Sequence, residues 1–175
     1  MNLRQNILDS VKECEIKLGY REEAISLYYP DSVLLELLSV SEDELTEAIG
    51  TFCKSVSGEL GKVSIAETSE KGRYQINIPK EGVAFVHENV KASSFVKDFV
   101  AKIHRPGMTK DAVLALFRKY SEDVVIEQVG EGEWAVYFAD SQVDAYVYYI
   151  EEDDFGLQYH RFTKKSYEVI KEKVD

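Results

Sequence analysis

The fold of this chain is decided by the segment ISLYYPDSVLLELLSVSEDELTEAIGTFCKSVSGELGKVSIAETSEKGRYQINIPKEGVAFV (Ile25–Val86). Its pattern of apolar, β-branched and turn-forming residues predicts a short strand, a helix, a tight turn, a second helix, a two-stranded hairpin and a return into helix. Two helices joined by so short a turn cross at a steep angle, which is helix-turn-helix geometry. This order of elements predicts a winged-helix-like unit.

The second helix of this pair has the clearest start signal in the chain. Ser41 can cap the amide of Glu44, and the Glu44 carboxylate can reach back to Ser41, which together form a capping box. Upstream of the pair, apolar residues spaced by three and four predict an N-terminal amphipathic helix that ends at Gly19. The first half of the chain is therefore expected to form a winged-helix-like unit preceded by an N-terminal helix.

The second half begins after the helix-breaking segment His104-Arg105-Pro106-Gly107, and Thr109 can then cap a new helix. Four strand-like runs follow, at Val124–Val129, Trp134–Phe138, Ala145–Ile150 and Leu157–Phe162. Thr163 can then cap a final helix. The predicted unit is α-β-β-β-β-α, an antiparallel meander with helices on one face. The predicted fold class is α+β, with domains at residues 1–104 and 107–175.

The composition indicates a folded and strongly acidic protein. Hydrophobic residues make up 45% of the 175 residues, the formal net charge is −11 and the pI is about 4.8. Such a charge opposes binding to nucleic acids or anionic membranes through the bulk field. Cys14 and Cys53 lie on apolar helical stripes, which favours reduced, buried thiols. With no signal-peptide pattern and no apolar run long enough to cross a bilayer, the sequence predicts a cytoplasmic protein without membrane association.

Winged helices often bind DNA, and the charge of the residues that would contact it indicates whether this one could. The groove-facing end of the second helix would present Glu42, Asp43, Glu44 and Glu47. Phosphates would repel these carboxylates. The hairpin is better suited, because Lys62, Lys71 and Arg73 could touch the DNA backbone. DNA binding therefore stays an alternative, and nucleic acid is not the expected partner.

Motifs for catalysis and metal binding are missing from the sequence. It contains no G-x-S-x-G elbow, no H-E-x-x-H and no Walker loop. His87, His104 and His160 are far apart in the chain, and neither cysteine has a C-x-x-C partner. The sequence therefore predicts a protein that is not an enzyme and needs neither a cofactor nor a metal.

Aromatic residues crowd the last strands and suggest a binding surface. Alternation along a strand places Tyr146 and Tyr148 on one face and Tyr149 on the other. One face has to cover the helices, and the other could expose its aromatics to a peptide or another subunit. The competing interpretation is that these tyrosines only pack within the sheet. The candidate protein- or ligand-binding residues are Tyr146, Tyr148, Tyr159, His160 and Arg161.

The leading functional hypothesis is a non-enzymatic protein-interaction or assembly module. Its partner would be another protein or a second copy of the chain in a homodimer. A DNA-binding regulator is one alternative, and a small-ligand or enzymatic site around His160 and Arg161 is another.

Two segments carry a resemblance to a known family. IKLGYREEAISLYYP (Ile16–Pro30) and DDFGLQYHRFTKKSY (Asp153–Tyr167) resemble the ends of a family of bacterial proteins catalogued as a domain of unknown function. The resemblance covers nearly the whole chain and implies a bacterial cytosolic protein. It carries over no catalytic or binding residue. It directs attention to the charged and aromatic positions Tyr20, Arg21, Tyr28, Tyr29, His160 and Arg161.

Overall fold

The structure is a computed structural model that describes the backbone of residues 1–174 and the side chains of residues 1–171. Within this part of the chain it contains seven helices and two antiparallel sheets, with 46% helix and 26% strand. The predicted α+β class is confirmed. The chain forms two compact units, Met1–Ala92 and Ser93–Asp175.

The first unit contains the elements that the Ile25–Val86 segment predicts, preceded by the N-terminal helix. They are α1 (Leu3–Leu18), β1 (Ile25–Pro30), α2 (Asp31–Leu38), a 3₁₀ turn (Glu42–Glu44), α3 (Leu45–Leu60), β2 (Ser64–Glu67), β3 (Arg73–Ile78) and α4 (Lys80–Asn89). The three strands form an antiparallel sheet in the order β1-β3-β2. This arrangement is compatible with the winged-helix-like interpretation, which stays an interpretation of the topology.

The core of the first unit lies where the helices cover one face of this sheet. Ile76 and Ile78 of β3 are completely buried, as are Ile7 of α1 and Leu34 of α2. Neighbouring residues of β3 alternate with them and are more exposed, because successive side chains of a strand point to opposite faces. A buried hydrogen bond of 2.6 Å, donated by the Tyr29 hydroxyl to Asn6 Oδ1, satisfies the polar groups that this packing encloses.

The second unit contains three helices and four strands within its described residues. They are α5 (Ser94–Lys102), α6 (Lys110–Arg118), β4 (Val124–Gly130), β5 (Glu133–Phe138), β6 (Tyr146–Asp153), β7 (Gly156–Thr163) and α7 (Lys164–Val174). The four strands form the predicted antiparallel meander, in the order β4-β5-β6-β7. The predicted caps are also present, since Thr109 Oγ1 accepts a hydrogen bond from the Ala112 amide and Thr163 Oγ1 accepts one from the Ser166 amide.

Helices pack on both faces of this meander, so the expectation of helices on one face is wrong. On one face, the Tyr148 ring of β6 lies 4.6 Å from Phe99 of α5 and 5.5 Å from Phe117 of α6, measured between ring centroids. On the other face, Tyr167 of α7 packs with Ala135 and Val147. Apolar side chains lie on both faces of these strands, so helices have to cover both faces of the meander.

Helix α5 belongs to the second unit, although the sequence suggested a boundary at residues 104–107. The reason is aromatic packing: Phe95 and Phe99 are buried against the rings of α6 and of the four-stranded sheet. The division into compact units therefore falls between Ala92 and Ser93, in the break that separates α4 from α5. The division into domains at 1–104 and 107–175 stays a prediction.

Candidate functional site

Tyr146, Tyr148 and Tyr159 are core residues of the second unit, not parts of an exposed aromatic surface. Their exposed fractions are 4%, 1% and 8%. The register pairs Tyr148 with Arg161 and Ile150 with Tyr159, so all three tyrosines lie on the face that α5 and α6 cover. The positions of these tyrosines agree with the competing interpretation, in which they pack within the fold. Their rings are too deeply buried to form an exposed binding surface.

His160 and Arg161 lie on opposite faces of the four-stranded sheet. His160 pairs with Tyr149, whereas Arg161 pairs with Tyr148 and places its guanidinium 4.0 Å from the centroid of the Tyr146 ring. The His160 side chain is exposed, and its Nε2 lies 3.9 Å from a carboxylate oxygen of Glu151. Because adjacent strand residues point in opposite directions, these two side chains cannot line one pocket.

The 3₁₀ turn before α3 and the first turn of α3 present a group of carboxylates to solvent. The exposed residues are Glu42, Asp43, Glu44 and Glu47. The capping box is confirmed, since the Glu44 carboxylate accepts hydrogen bonds from the Ser41 amide at 3.0 Å and from the Ser41 hydroxyl at 2.7 Å. These hydrogen bonds lower the pKa of Glu44 below its ordinary value. The carboxylates also suit the positive end of the helix dipole, so this acidic surface, which we call the α3 acidic end, is stable at neutral pH.

The three candidate DNA-contacting residues, Lys62, Lys71 and Arg73, are exposed in or beside the β2–β3 hairpin. Arg73 already has local partners: it donates a hydrogen bond of 2.9 Å to Glu70, and its guanidinium lies 5.3 Å from the centroid of the Tyr28 ring. An ion pair within the hairpin reduces the charge that this residue could offer to a phosphate.

A pocket of about 170 Å³ lies in the first unit, between the end of α1, the loop that follows it and α4. Its apolar wall is built from Val11, Leu18, Ile25 and Val83. Charged and aromatic residues from the loop complete the lining, namely Tyr20, Arg21 and Glu23. We call this feature the α1–β1 pocket.

A polar network fixes one wall of the α1–β1 pocket. The Glu15 carboxylate accepts a hydrogen bond of 2.9 Å from Lys12 Nζ, and its other oxygen lies 3.0 Å from His87 Nδ1. Burial raises the pKa of Glu15, but the hydrogen bonds from Lys12 and His87 outweigh it and bring the pKa below its ordinary value. The His87 ring stacks on Tyr20 with centroids 3.9 Å apart and planes 14° apart. The network therefore ties α1, α4 and the pocket loop together.

A comparison with protein families identifies the chain. The family model described as "Domain of unknown function, E. rectale Gene description (DUF3877)" matches residues 1–171. The chain belongs to the DUF3877 family. No curated protein and no solved structure matches the chain. The DUF3877 match spans both compact units and confirms the resemblance that the two end segments predicted.

Sequence reasoning identified only part of the pocket of this DUF3877 chain. The family resemblance directed attention to two of its rim residues, Tyr20 and Arg21, but not to Glu23, which lies in the same end segment. The contact between Glu15 and His87 joins residues 72 positions apart, and no local pattern signals it. Cys14 was expected only to pack on an apolar stripe, but it is half-buried and lines the pocket. In Cys53, which is also half-buried, burial raises the pKa of the thiol.

The described part of the DUF3877 chain also bears on metal binding and on membrane crossing. No group of three or more His, Cys, Asp or Glu side chains is placed there so that it could hold a metal ion. None of the described helices combines the length and the apolar character that crossing a membrane requires.

Proposed function

We propose that this protein is a non-enzymatic protein-interaction module that binds a positively charged protein surface through the α3 acidic end. The observation that carries the proposal is the exposure of Glu42, Asp43 and Glu47 in the 3₁₀ turn before α3 and in the first turn of α3. Complementary charge steers partners together and fixes their register, and a basic protein surface is the complement of this patch. A cytoplasmic location is part of the proposal, since two cysteines on apolar helical stripes favour reduced thiols.

The charge of the same surface argues against DNA as the partner. Protein affinity for DNA depends on cations that displace counterions from the phosphates. The helix that would enter the groove has carboxylates instead, and Lys54 is the first basic residue after them. Lys62, Lys71 and Arg73 keep DNA binding as the competing function, with contacts limited to the hairpin.

Site-specific photo-crosslinking in the native host tests the proposal. A photo-reactive phenylalanine at position 43 should capture one discrete partner with a basic surface. The matched control places the same group at position 154, another exposed aspartate on a turn of the second unit. In the Glu47→Lys background, the yield from position 43 should fall at least fivefold, because the patch loses its complementary charge.

Two outcomes would overturn the interaction proposal. One is equal crosslinking from positions 43 and 154, which would mean that contacts are random. The other is a salt-sensitive rise in fluorescence anisotropy with random duplex DNA at low salt that the Lys71→Gln and Arg73→Gln substitutions abolish. Light scattering on a sizing column distinguishes self-association from binding to a different protein, since only self-association raises the mass of the purified chain.

A further inference from the structure

The α1–β1 pocket has the size and lining of a site for a small apolar group. An engineered apolar cavity of about 150 Å³ in another protein is large enough to bind benzene. The α1–β1 pocket has about 170 Å³ and a wall of Val11, Leu18, Ile25 and Val83. It can therefore hold one branched aliphatic or aromatic side chain, but not the body of a nucleotide or a long acyl chain.

The rim of the pocket carries two opposite charges that the protein itself does not use. Arg21 and Glu23 are exposed and line the pocket. Within residues 1–171, neither forms a hydrogen bond or an ion pair with another side chain. The third charged lining residue, Glu15, differs from them because Lys12 and His87 already engage its carboxylate. The charges open to a ligand are thus one cation and one anion, two residues apart in the sequence.

A guanidinium recognises a carboxylate through a pair of parallel hydrogen bonds, and a carboxylate on the same rim attracts an ammonium group. A ligand that satisfies both charges and also fills the apolar wall is a zwitterion with one apolar side chain. We propose that the α1–β1 pocket binds a free amino acid with an apolar side chain. Its α-carboxylate meets Arg21, its α-ammonium meets Glu23, and its side chain packs on Leu18, Ile25 and Val83.

The loop that carries both charges is held in place before the ligand binds. Tyr20 precedes Arg21 directly, and its ring is stacked on His87 of α4. His87 is in turn bonded to Glu15 of α1. A rim fixed in this way loses less conformational freedom on binding, which favours affinity. The site does not depend on the α3 acidic end, so it adds a ligand-binding role to the interaction module.

Isothermal titration of the full chain with four related compounds tests the ligand class. Leucine should bind with saturable heat. 4-Methylpentanoate lacks the amine, 3-methylbutylamine lacks the carboxylate and glycine lacks the apolar side chain, and each should bind at least tenfold more weakly than leucine. Phenylalanine is the second probe, in case the pocket prefers a ring. The proposal would be overturned if neither leucine nor phenylalanine saturated the protein below about 10 mM, because the affinity would then be weaker than the millimolar range. Equal binding of leucine, 4-methylpentanoate, 3-methylbutylamine and glycine would also overturn it.

Three substitutions locate the binding site. Arg21→Gln should weaken leucine binding at least tenfold, whereas Lys17→Gln removes the same charge from the exposed end of α1 outside the pocket lining and should leave it unchanged. Glu23→Gln should reduce the preference for leucine over 4-methylpentanoate. All three positions are exposed, so the variants are expected to fold. An equal loss of affinity in Arg21→Gln and Lys17→Gln would contradict the site.

Cys14 supplies an independent readout, because its side chain lines the pocket. In a Cys53→Ser background, saturating leucine should slow alkylation of Cys14 by iodoacetamide at least fivefold. In a Cys14→Ser background, the rate at Cys53 should not change, since Cys53 does not line the pocket. Unchanged alkylation of Cys14 at saturating leucine would place the bound ligand elsewhere and reject the assignment.

Discussion

At the scale of single residues, Glu127 on β4 holds one side of the second unit together. Its carboxylate accepts hydrogen bonds from Tyr137, Tyr167 and Lys171 at 2.9, 2.9 and 2.7 Å. The hydrogen bond from Lys171 is the main cause that lowers the pKa of Glu127, and the two tyrosines add to it against the effect of burial. One carboxylate therefore joins β4, β5 and α7.

We expect Glu127→Gln to lower the free energy of unfolding at pH 7 by about 1–2 kcal/mol, because partial exposure to solvent weakens hydrogen bonds to a charged group, which are worth about 1.5–3 kcal/mol when buried. The folded pKa lies below the unfolded value, so the stabilisation is present above about pH 4.5 and is lost as the pH falls through the folded pKa. Urea unfolding at pH 7 and pH 3 measures this, and the variant should differ from the wild type less at pH 3. Glu131→Gln, at an exposed turn, is the control. A difference that is equal at both pH values would contradict the assignment.

The tyrosines around this sheet should also make the protein sensitive to alkali. Burial, together with hydrogen bonding to Glu127 and Glu133 respectively, raises the pKa of Tyr137 and of Tyr149 to about 12. The pKa of Tyr167 is raised for the same reasons, with Glu127 as its hydrogen-bond partner. An unfolded phenol ionises near pH 10, so the stabilisation is complete below pH 10 and is lost as the pH rises toward 12.

Absorbance at 295 nm should therefore show a late phase to which Tyr137, Tyr149 and Tyr167 contribute. Tyr149→Phe should lower the amplitude of that late phase and leave the early phase unchanged. Titration in 8 M urea serves as the reference, because every phenol should then ionise near pH 10. A single phase in the native protein would show that these hydroxyls are not held in the neutral form.

At the scale of elements, α4 packs on the end of α3 at a distance that only glycine allows. A Cβ atom added to Gly82 would lie 2.6 Å from the Leu60 carbonyl oxygen and 2.9 Å from Ile78 Cγ2. Backbone cannot move aside as a flexible side chain can, so overpacking at this point is expensive. We expect Gly82→Ala to lower the free energy of unfolding by about 1–3 kcal/mol.

Gly58→Ala is the matched control for Gly82→Ala. Gly58 lies inside α3, and an added Cβ would meet no atom within 4 Å apart from its chain neighbours and the backbone of its own helix. Alanine has the higher helix propensity, so this substitution should raise the free energy of unfolding by about 0.5–1 kcal/mol. Thermal and urea unfolding of both variants measure the pair of opposite effects. If both substitutions stabilise the protein, α4 and α3 are not in close contact.

The positions of the helices and strands could be predicted from the sequence, whereas the burial of each sheet face could not. Helices and strands follow from local signals, such as the capping box at Ser41 and the helix-breaking segment before Thr109, and the structure contains them near the predicted positions. Burial of a given sheet face depends on where distant helices pack. Alternation placed Tyr146 and Tyr148 on one face, but it could not show that α5 would cover that face while α7 covers the other.

The candidate site was less predictable than the fold, for the same physical reason. Arg21 and Tyr20 could be singled out by a family resemblance, but the pocket they line depends on the contact between α1 and α4. Nothing in the periodicity of either helix predicts that Glu15 meets His87. For His160 and Arg161 the error was the opposite one. They were expected to act together because they are neighbours in the sequence, but adjacent residues of a strand point to opposite faces of the sheet.

At the scale of the whole molecule, the acidity is shared between the two units. Residues 1–92 contain 10 Lys and Arg against 16 Asp and Glu, a net charge of −6, and residues 93–175 contain 11 against 16, a net charge of −5. Neither unit offers a basic field that would hold a polyanion. This balance agrees with the proposed basic protein partner. Within the described residues, the candidate contacts to DNA stay limited to Lys62, Lys71 and Arg73 in or beside the hairpin.

Each unit has a hydrophobic core of its own, and this leads to a prediction about fragments. The core of the first unit joins buried residues from α1 to α4, including Leu3 and Val86 at its two ends. We expect residues 1–92 alone to unfold cooperatively and to give a dispersed amide spectrum, because the fragment keeps all of these contacts. Residues 1–60 are the control: they lack β3, with its buried Ile76 and Ile78, and should be unfolded. A fragment 1–92 without a cooperative transition would mean that the first unit needs the rest of the chain to fold.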